Sequence, residues 1–214
     1  MRYERLSYVI LQRLYAERRE EIDNKLLEFK GIRERSDSKI FEELIYCILT
    51  VQSSARSAGR AIERLKVKGL LFRGSAREVE RALKGVRFAK TKTKRIIKAR
   101  RLFSSVRGVV IKARLPADPH AARSFLAEEV DGMGYKEASH FLRNIGYQGL
   151  AILDRHVLRG LYDLGAIDEV PRSLTGKRYL AIERLYIDLA RNAGICPEAL
   201  DLVLWSARTG EVLK

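Results

Sequence analysis

Cysteine is scarce in this sequence, with Cys47 and Cys196 as its two thiols among 214 residues. Two cysteines exclude a four-cysteine zinc or iron–sulfur site. They also give no sign of a disulfide scaffold, which favours a reducing cytoplasm as the working compartment. Cys47 lies within the apolar run 44–51, so we expect it to be a buried thiol rather than a reactive one.

Long apolar runs and strand patterns are also missing. No apolar stretch approaches the roughly 20 residues of a transmembrane helix, and the charged start of the chain has no signal-peptide core. The best strand candidate, residues 109–111, is too short and isolated to build a sheet. Helical spacing of apolar residues dominates instead. We therefore predict an all-α protein whose first helix covers residues 3–29 and ends at Gly31.

Acidic residues are outnumbered, and over one stretch they are absent. The chain has 42 Lys and Arg against 27 Asp and Glu, a formal charge of +15. From Lys84 to Arg114 there are 12 basic residues and no acid. An apolar stripe of Ile96, Ile97, Ala99 and Leu102 predicts a helix here with one buried and one basic face. Such a face favours a phosphate backbone as partner over an ordinary solvated face. For the net charge of the whole chain, nucleic acid is the leading partner, an acidic membrane surface is second, and a generally basic proteome is the plainer explanation.

Two glycines organise the middle of the chain. Residues 130–136 read Val-Asp-Gly-Met-Gly-Tyr-Lys, with helical patterns before and after them. This arrangement predicts a helix-hairpin-helix over about residues 119–147. Glycines allow unusual backbone angles and close approach of a partner, and the unpaired N–H groups of such a turn attract an anion. For the glycine pattern alone, a glycine-capped corner between two helices is the favoured interpretation, and the residues after the turn reverse that preference.

The chemistry centres on Lys136, just after the hairpin, and Asp154, at the N-cap position of a later helix. Lysine can act as a nucleophile by forming a Schiff base. For this it must lose a proton, and a shift of roughly 3 pKa units costs about 4 kcal/mol. A helix N-terminus contributes only about 0.3–1 kcal/mol, so desolvation and neighbouring cations must supply most of the shift. Alone, each residue reads as a phosphate contact or a cap; together they predict a catalytic site.

These residues carry a family resemblance. The segment Gly-Met-Gly-Tyr-Lys at 132–136, followed by Asp-Arg-His at 154–156, resembles the signature of the helix-hairpin-helix–GPD superfamily of DNA glycosylases in its lysine-bearing, bifunctional form. The segments 48–54, 85–88 and 201–214 narrow the resemblance to the archaeal-type 8-oxoguanine DNA glycosylase/AP lyase group.

The resemblance implies a subdomain organisation. A middle helical barrel would cover residues 36–149 and carry the hairpin. A second helical subdomain would combine residues 1–35 and 150–214. In this superfamily the active site occupies a cleft between the two subdomains.

Catalytic roles also follow from the resemblance. Lys136 would attack C1′ of the damaged nucleoside, expel the base, form an iminium and so enable β-elimination. Asp154 would stabilise the oxocarbenium-like transition state while it caps its helix. His156 would contact a phosphate, and Gly132 and Gly134 would present main-chain N–H groups to the DNA strand.

Base recognition requires the target nucleotide to be flipped out. Gln52 would then occupy the vacated stack and Phe88 would lie near the estranged base. The oxidised base carries N7–H where guanine has an acceptor, so the pocket needs an acceptor. In the group that this chain resembles the C-terminal lysine enters the pocket, and the resemblance therefore implies that the terminal carboxylate of Lys214 accepts that hydrogen bond. Trp205 and His140 would line the same pocket. The plainer readings are a helix-terminal polar residue for Gln52, core packing for Phe88 and Trp205, and a frayed tail for Lys214.

The chain departs from the superfamily in two places. Asp131 stands where some members have proline, and an acid there should weaken phosphate binding unless it caps the turn. The missing cysteines argue against an iron–sulfur cluster, so we expect no cofactor, although the resemblance implies a monovalent cation at the hairpin.

The sequence thus predicts a monomeric enzyme without a membrane partner that excises 8-oxoguanine from duplex DNA, also cleaves the strand, and works at the nucleoid in the cytoplasm. Two alternatives remain. One is a glycosylase for another oxidised or alkylated base. The other is a non-catalytic helix-hairpin-helix protein that only binds DNA.

Overall fold

The computed structural model describes residues 6–106 and 108–212, which form eleven helices and one two-stranded ribbon. The all-α prediction is confirmed. The chain divides into two compact units. We call Gly31–Ile145 the middle unit, and Met1–Lys30 with Gly146–Lys214 the terminal unit. Within the described ranges, no helix is long and apolar enough to cross a membrane.

The middle unit is built around α2 (Asp37–Thr50), whose apolar side chains are almost fully buried. Serine or aspartate begins four of its helices, because Ser36, Ser54, Ser75 and Asp118 each accept a hydrogen bond from the N–H three residues later. The helices are α2 (Asp37–Thr50), α3 (Ala55–Val67), α4 (Ala76–Ala82), α5 (Ala89–Leu102), α6 (Ile111–Arg114), α7 (Pro119–Glu129) and α8 (Tyr135–Asn144).

The ribbon overlaps the strand candidate 109–111, but its limits are different. β1 (Ser104–Ser105) pairs with β2 (Gly108–Val109) in antiparallel fashion, with Ser104 opposite Val109. Of the strand candidate 109–111, Val109 lies in β2, whereas Val110 caps α6 and Ile111 begins it. Ile111 is fully buried and begins α6. Burying its side chain in the core stabilises the chain more than one further pair of strand hydrogen bonds would.

The terminal unit contains most of α1 (Tyr8–Glu34), together with α9 (Arg155–Asp163), α10 (Gly176–Ala193) and α11 (Pro197–Thr209). The prediction that Gly31 ends the first helix is wrong. Gly31 has no positive φ, and the helix continues for three more residues to Glu34. Ile32, which directly follows Gly31, is buried. Extending the helix past Gly31 therefore removes apolar surface from water.

Candidate active site

The predicted helix-hairpin-helix is present in the middle unit as α7, a short turn and α8. α7 begins at Pro119, where proline fits the first helical position, and the Asp118 carboxylate accepts a hydrogen bond of 2.7 Å from the Ala121 N–H. The turn closes when the Met133 N–H donates to the Val130 carbonyl oxygen at 3.0 Å. α8 then begins immediately after Gly134.

The two glycines of the turn meet different requirements. Gly132 has φ +84°, a conformation that other residues adopt only with strain. Gly134 has φ −97° and ψ −175°, which any residue can adopt. The expectation of unusual backbone angles thus holds for Gly132 alone. At Gly134, the absent side chain matters for how closely a partner can approach.

The surface of the turn is suited to an anion. Within the described part of the chain, the main-chain N–H groups of Gly132 and Lys136 form no hydrogen bond. Arg95 lies so close to Gly132 that a Cβ there would overlap its guanidinium group. Unpaired N–H groups beside a fixed cation form the environment that a phosphate prefers.

The negative charge of Asp131, the acid that departs from the superfamily pattern, is balanced by an ion pair. Its carboxylate pairs with Lys98 Nζ at 2.8 Å. The hydrogen bond from Lys98 lowers the pKa of Asp131 below its ordinary value, which keeps the carboxylate charged. Arg95, together with Lys98 paired to Asp131, leaves a positive balance at the turn, which suits an anion. No cluster of three His, Cys, Asp or Glu among the described residues could hold a metal ion.

Lys136 is the second residue of α8 and is partly exposed. Its Nζ lies 3.7 Å from Glu137 Oε1, while Glu137 Oε2 accepts a hydrogen bond of 3.4 Å from the Gly134 N–H. Glu137 therefore caps the N-terminus of α8 next to Lys136. His140, one turn later, is half-buried on the same face of α8.

Buried polar contacts hold the lysine-bearing helix in place within the middle unit. Asn144 Nδ2, at the end of α8, donates 2.7 Å to Glu43 Oε1 on α2, and both side chains are buried. At the other end, the buried Arg123 guanidinium lies 4.9 Å from the ring centre of Tyr135, the residue before Lys136. Charged groups that are buried and paired in this way fix one arrangement of α8.

In the terminal unit, Asp154 caps α9 as predicted. Its Oδ1 accepts hydrogen bonds from the N–H groups of His156 at 2.7 Å and Val157 at 2.8 Å. The preceding apolar segment 151–153 is buried. It is held by α10, because Glu183 Oε1 accepts the Ala151 N–H at 2.9 Å and the Tyr179 hydroxyl donates to the Ala151 carbonyl oxygen at 2.6 Å. Hydrogen bonds to α10 thus fix the segment 151–153, which positions the Asp154 carboxylate that follows it.

His156 and Trp205 lie together in the terminal unit, with their rings edge to face at 6.2 Å. Their helices approach closely because Gly160 has no side chain; a Cβ there would lie 2.7 Å from Leu204 Cδ2. Trp205 is half-buried, so it is not a simple core anchor. Burial lowers the pKa of His156, although the Asp154 carboxylate opposes this shift.

Gln52 and Phe88 both lie in the middle unit, in turns that end or begin a helix. Both are exposed and both have positive φ, 52° for Gln52 and 57° for Phe88. Phe88 is 56% exposed, so the core-packing reading is wrong for it. An exposed aromatic side chain on a strained backbone is a feature of functional sites. Lys214 lies outside the described residues.

The structure divides the predicted site residues between its two units. Gln52, Phe88, Gly132, Gly134, Lys136 and His140 belong to the middle unit, and Asp154, His156 and Trp205 belong to the terminal unit. Three supporting residues escaped the sequence reasoning: Lys92, Arg95 and Arg123. Only Lys92 had a readable signal, because it falls on the apolar face of α5, four residues before Ile96.

Comparison with known proteins extends these observations. A family model described as Ogg-HhH, 8-oxoguanine DNA glycosylase, matches residues 22–195. The chain is 40% identical to an 8-oxoguanine DNA glycosylase/AP lyase of Methanocaldococcus jannaschii over 90% of this chain and 91% of that protein. It is 39% identical to a protein of the same description from Fusobacterium nucleatum, covering 95% and 96%.

Solved structures agree. The crystal structure of an M. jannaschii 8-oxoguanine glycosylase/lyase in complex with a 15-mer DNA containing 8-oxoguanine is similar with a TM-score of 0.85 and 36% identity, covering 96% of this chain and 100% of that one. The 8-oxoguanine DNA glycosylase of Thermotoga maritima gives a TM-score of 0.86 and 34% identity, covering 97% and 98%.

Proposed function

The chain belongs to the Ogg-HhH family of 8-oxoguanine DNA glycosylases, and we propose that it excises 8-oxoguanine from duplex DNA and cleaves the strand as an AP lyase. The observation that carries this proposal is the similarity over nine-tenths of the chain, in which Lys136 stands at the start of α8, directly after the hairpin turn. One chain supplies both proposed catalytic residues, Lys136 and Asp154, so the reaction needs no second copy, and we propose a monomer that acts on DNA in the cytoplasm.

Lys136 is the proposed nucleophile. Its uncharged Nζ attacks C1′, the bond from C1′ to the base breaks, and the base leaves with the bonding electrons and takes up a proton. The sugar ring opens to give an iminium between Nζ and C1′. This cation acidifies the C2′ hydrogen; loss of that proton expels the 3′ phosphate by β-elimination. Hydrolysis of the imine then frees Lys136.

Asp154 supplies negative charge to the same reaction. Among the described residues, its Oδ2 has no hydrogen-bond partner, because both capping bonds go to Oδ1. One oxygen therefore fixes the side chain, and the other can face the positive charge that develops on the sugar during base loss. A fixed carboxylate of this kind needs no reorganisation as the transition state forms.

The remaining residues bind the DNA. The hairpin N–H groups and Arg95 hold a phosphate, and His156 contacts another. Gln52 enters the space that the flipped nucleotide leaves, and Phe88 lies against the unpaired opposite base. Trp205, His140 and Lys214 contact the damaged base.

Borohydride trapping tests the proposal. The full chain is incubated with 8-oxoguanine:C, undamaged and thymine-glycol duplexes, and sodium borohydride reduces any imine to a stable cross-link. We expect a covalent complex with the first duplex only. Lys136→Gln should abolish it while DNA binding persists, and Lys177→Gln, which removes an exposed lysine of α10, should leave it intact.

The outcomes are distinct. A complex with thymine glycol instead would keep the lysine mechanism and change the substrate. Binding without a complex on any duplex would point to a non-catalytic DNA-binding protein. Trapping that survives Lys136→Gln would assign the nucleophile to another amine.

A further inference from the structure

Two turns of the middle unit hold the side chains proposed to enter the duplex. Gln52 and Phe88 are the non-glycine residues with positive φ in the described ranges. Such a backbone is uncommon outside glycine because it is sterically strained. Something in the surrounding structure must therefore hold both turns.

The buried side chain of Lys92 on α5 makes those contacts. Its Nζ donates three hydrogen bonds, to the Leu49 carbonyl oxygen at 2.7 Å, the Val51 carbonyl oxygen at 2.6 Å and Ser53 Oγ at 3.0 Å. These acceptors lie on both sides of Gln52, at the end of α2. All three ammonium hydrogens are used in fixing one turn.

The same lysine is joined to the second turn by two routes. Its main-chain N–H donates to the Phe88 carbonyl oxygen at 3.0 Å. In addition, Ser53 Oγ accepts the N–H of Arg87, the residue before Phe88, at 3.0 Å. Lys92 and Ser53 thus connect the turn that carries Gln52 with the turn that carries Phe88.

We infer that Lys92 is a positioning residue for DNA insertion: it holds the turns of Gln52 and Phe88 in one rigid arrangement, so that both side chains enter the duplex together. This inference rests on the proposed function of the middle unit. It gives a role to a residue that touches neither the base nor the reacting sugar.

Burial of this ammonium has an electrostatic cost. Burial, followed by the charges of Arg95 and Arg87, lowers the pKa of Lys92 to about 8. An apolar side chain at this position would fill the core of α5 without that electrostatic cost. What a lysine adds is three donors for acceptors that would otherwise lose their hydrogen bonds.

Lys92→Met tests the inference, because methionine has similar length and no donors. Single-turnover excision of 8-oxoguanine from a duplex requires insertion, whereas borohydride trapping on a single-stranded abasic oligonucleotide requires only Lys136. We expect the duplex rate to fall roughly 10- to 100-fold, as for small misplacements elsewhere. Trapping on the single strand should stay within about 2-fold of the unaltered protein.

A mutant cycle separates positioning from general damage. In a chain that already carries Gln52→Ala and Phe88→Ala, Lys92→Met should cause no further loss of duplex excision, because no side chains remain to be positioned. Lys68→Met removes one exposed lysine of the same unit and should not distinguish duplex from single strand. Where Lys92→Met does not fold, Ser53→Ala removes the shared hydroxyl and should give the same selective loss.

Three results would overturn the inference: unchanged duplex excision in Lys92→Met, equal losses on duplex and single strand, or the same loss in the double-alanine background. Failure of the proposed function is recognised separately. In that case the unaltered chain itself would form no covalent complex with the 8-oxoguanine duplex.

Discussion

Replacing Asp154 with asparagine separates two functions that one side chain carries. The carboxylate caps α9 through Oδ1, at 2.7 Å and 2.8 Å from two main-chain nitrogens. An asparagine oxygen can accept the same two hydrogen bonds. The variant therefore keeps the cap and loses the negative charge proposed to stabilise the transition state.

The two effects differ in size. Asparagine and aspartate are about equal as N-caps, and loss of the charge at a helix N-terminus costs about 0.3–1 kcal/mol. This corresponds to a fall in Tm of at most roughly 4 °C for a chain of this size. Loss of one preorganised electrostatic group in a transition state costs about 3–4 kcal/mol, or roughly 100- to 1,000-fold in rate.

Urea unfolding and single-turnover excision of 8-oxoguanine, with enzyme in excess, measure the two quantities side by side. With enzyme in excess all the DNA is bound, so a change in DNA affinity caused by the loss of one negative charge does not alter the measured rate. Asp154→Ala provides a second comparison, because it also removes the cap and should cost about 1 kcal/mol more in stability. Asp118→Asn makes the same change at the cap of α7 and should leave the excision rate unaltered.

One result would refute the reasoning. If Asp154→Asn excises 8-oxoguanine at nearly the rate of the unaltered chain while Asp154→Ala loses stability, Asp154 serves only as a helix cap. The electrostatic role would then belong to another group, and the proposal that Oδ2 faces the sugar would be wrong.

Three further changes probe the hairpin and the buried lysine. Gly132→Ala strains a residue at φ +84° and displaces Arg95, so duplex affinity measured by fluorescence anisotropy should fall roughly 10-fold, equivalent to about 1.4 kcal/mol; unchanged affinity would remove the turn from the DNA interface. Asp131→Asn frees Lys98, so the slope of log affinity against log salt should steepen by about 0.9, and an unchanged slope would mean that Lys98 contacts no phosphate. Burial lowers the pKa of Lys92 to about 8, whereas an unfolded lysine titrates near 10.4. The unfolded chain then binds more protons between these values, so the free energy of unfolding relative to Lys92→Met should rise from about pH 8 to about pH 10; a constant difference would contradict the shift.

Local signals made the hairpin and its neighbours predictable. Apolar spacing, Asp118-Pro119 at a helix start and the glycine pair fix α7, the turn and α8 within a few residues, because each is determined by neighbours in sequence. Asp154 was recognisable as a cap for the same reason. Gly31 misled the prediction, since glycine ends a helix only where positive φ is needed, and here the chain gains by burying Ile32.

Contacts between distant segments set the rest of the candidate site, and the pattern of one helix does not reveal them. Arg95 reaches Gly132 from 37 positions earlier in the sequence, and Lys98 reaches Asp131 in the same way. Both were counted only as members of a basic face. Lys92 could have been noticed, because a lysine in line with Ile96 and Ala99 interrupts the apolar stripe. The groups at the end of α2 that accept its hydrogen bonds cannot be predicted from the sequence.

The basic stretch shows why net charge is a poor count of phosphate contacts. Lys92 uses its whole ammonium on groups at the end of α2. Arg100 donates from Nε to the Leu71 carbonyl oxygen at 3.0 Å, and its burial lowers the pKa of the guanidinium. Arg64, outside the stretch, likewise donates to the Ala82 carbonyl oxygen at 2.7 Å. Cations at helix ends satisfy carbonyls that lack partners, so part of the +15 charge maintains the fold. Since these donors are committed to the protein, the charge of α5 that is available to a phosphate rests on its other basic residues, among them Arg95 at the hairpin.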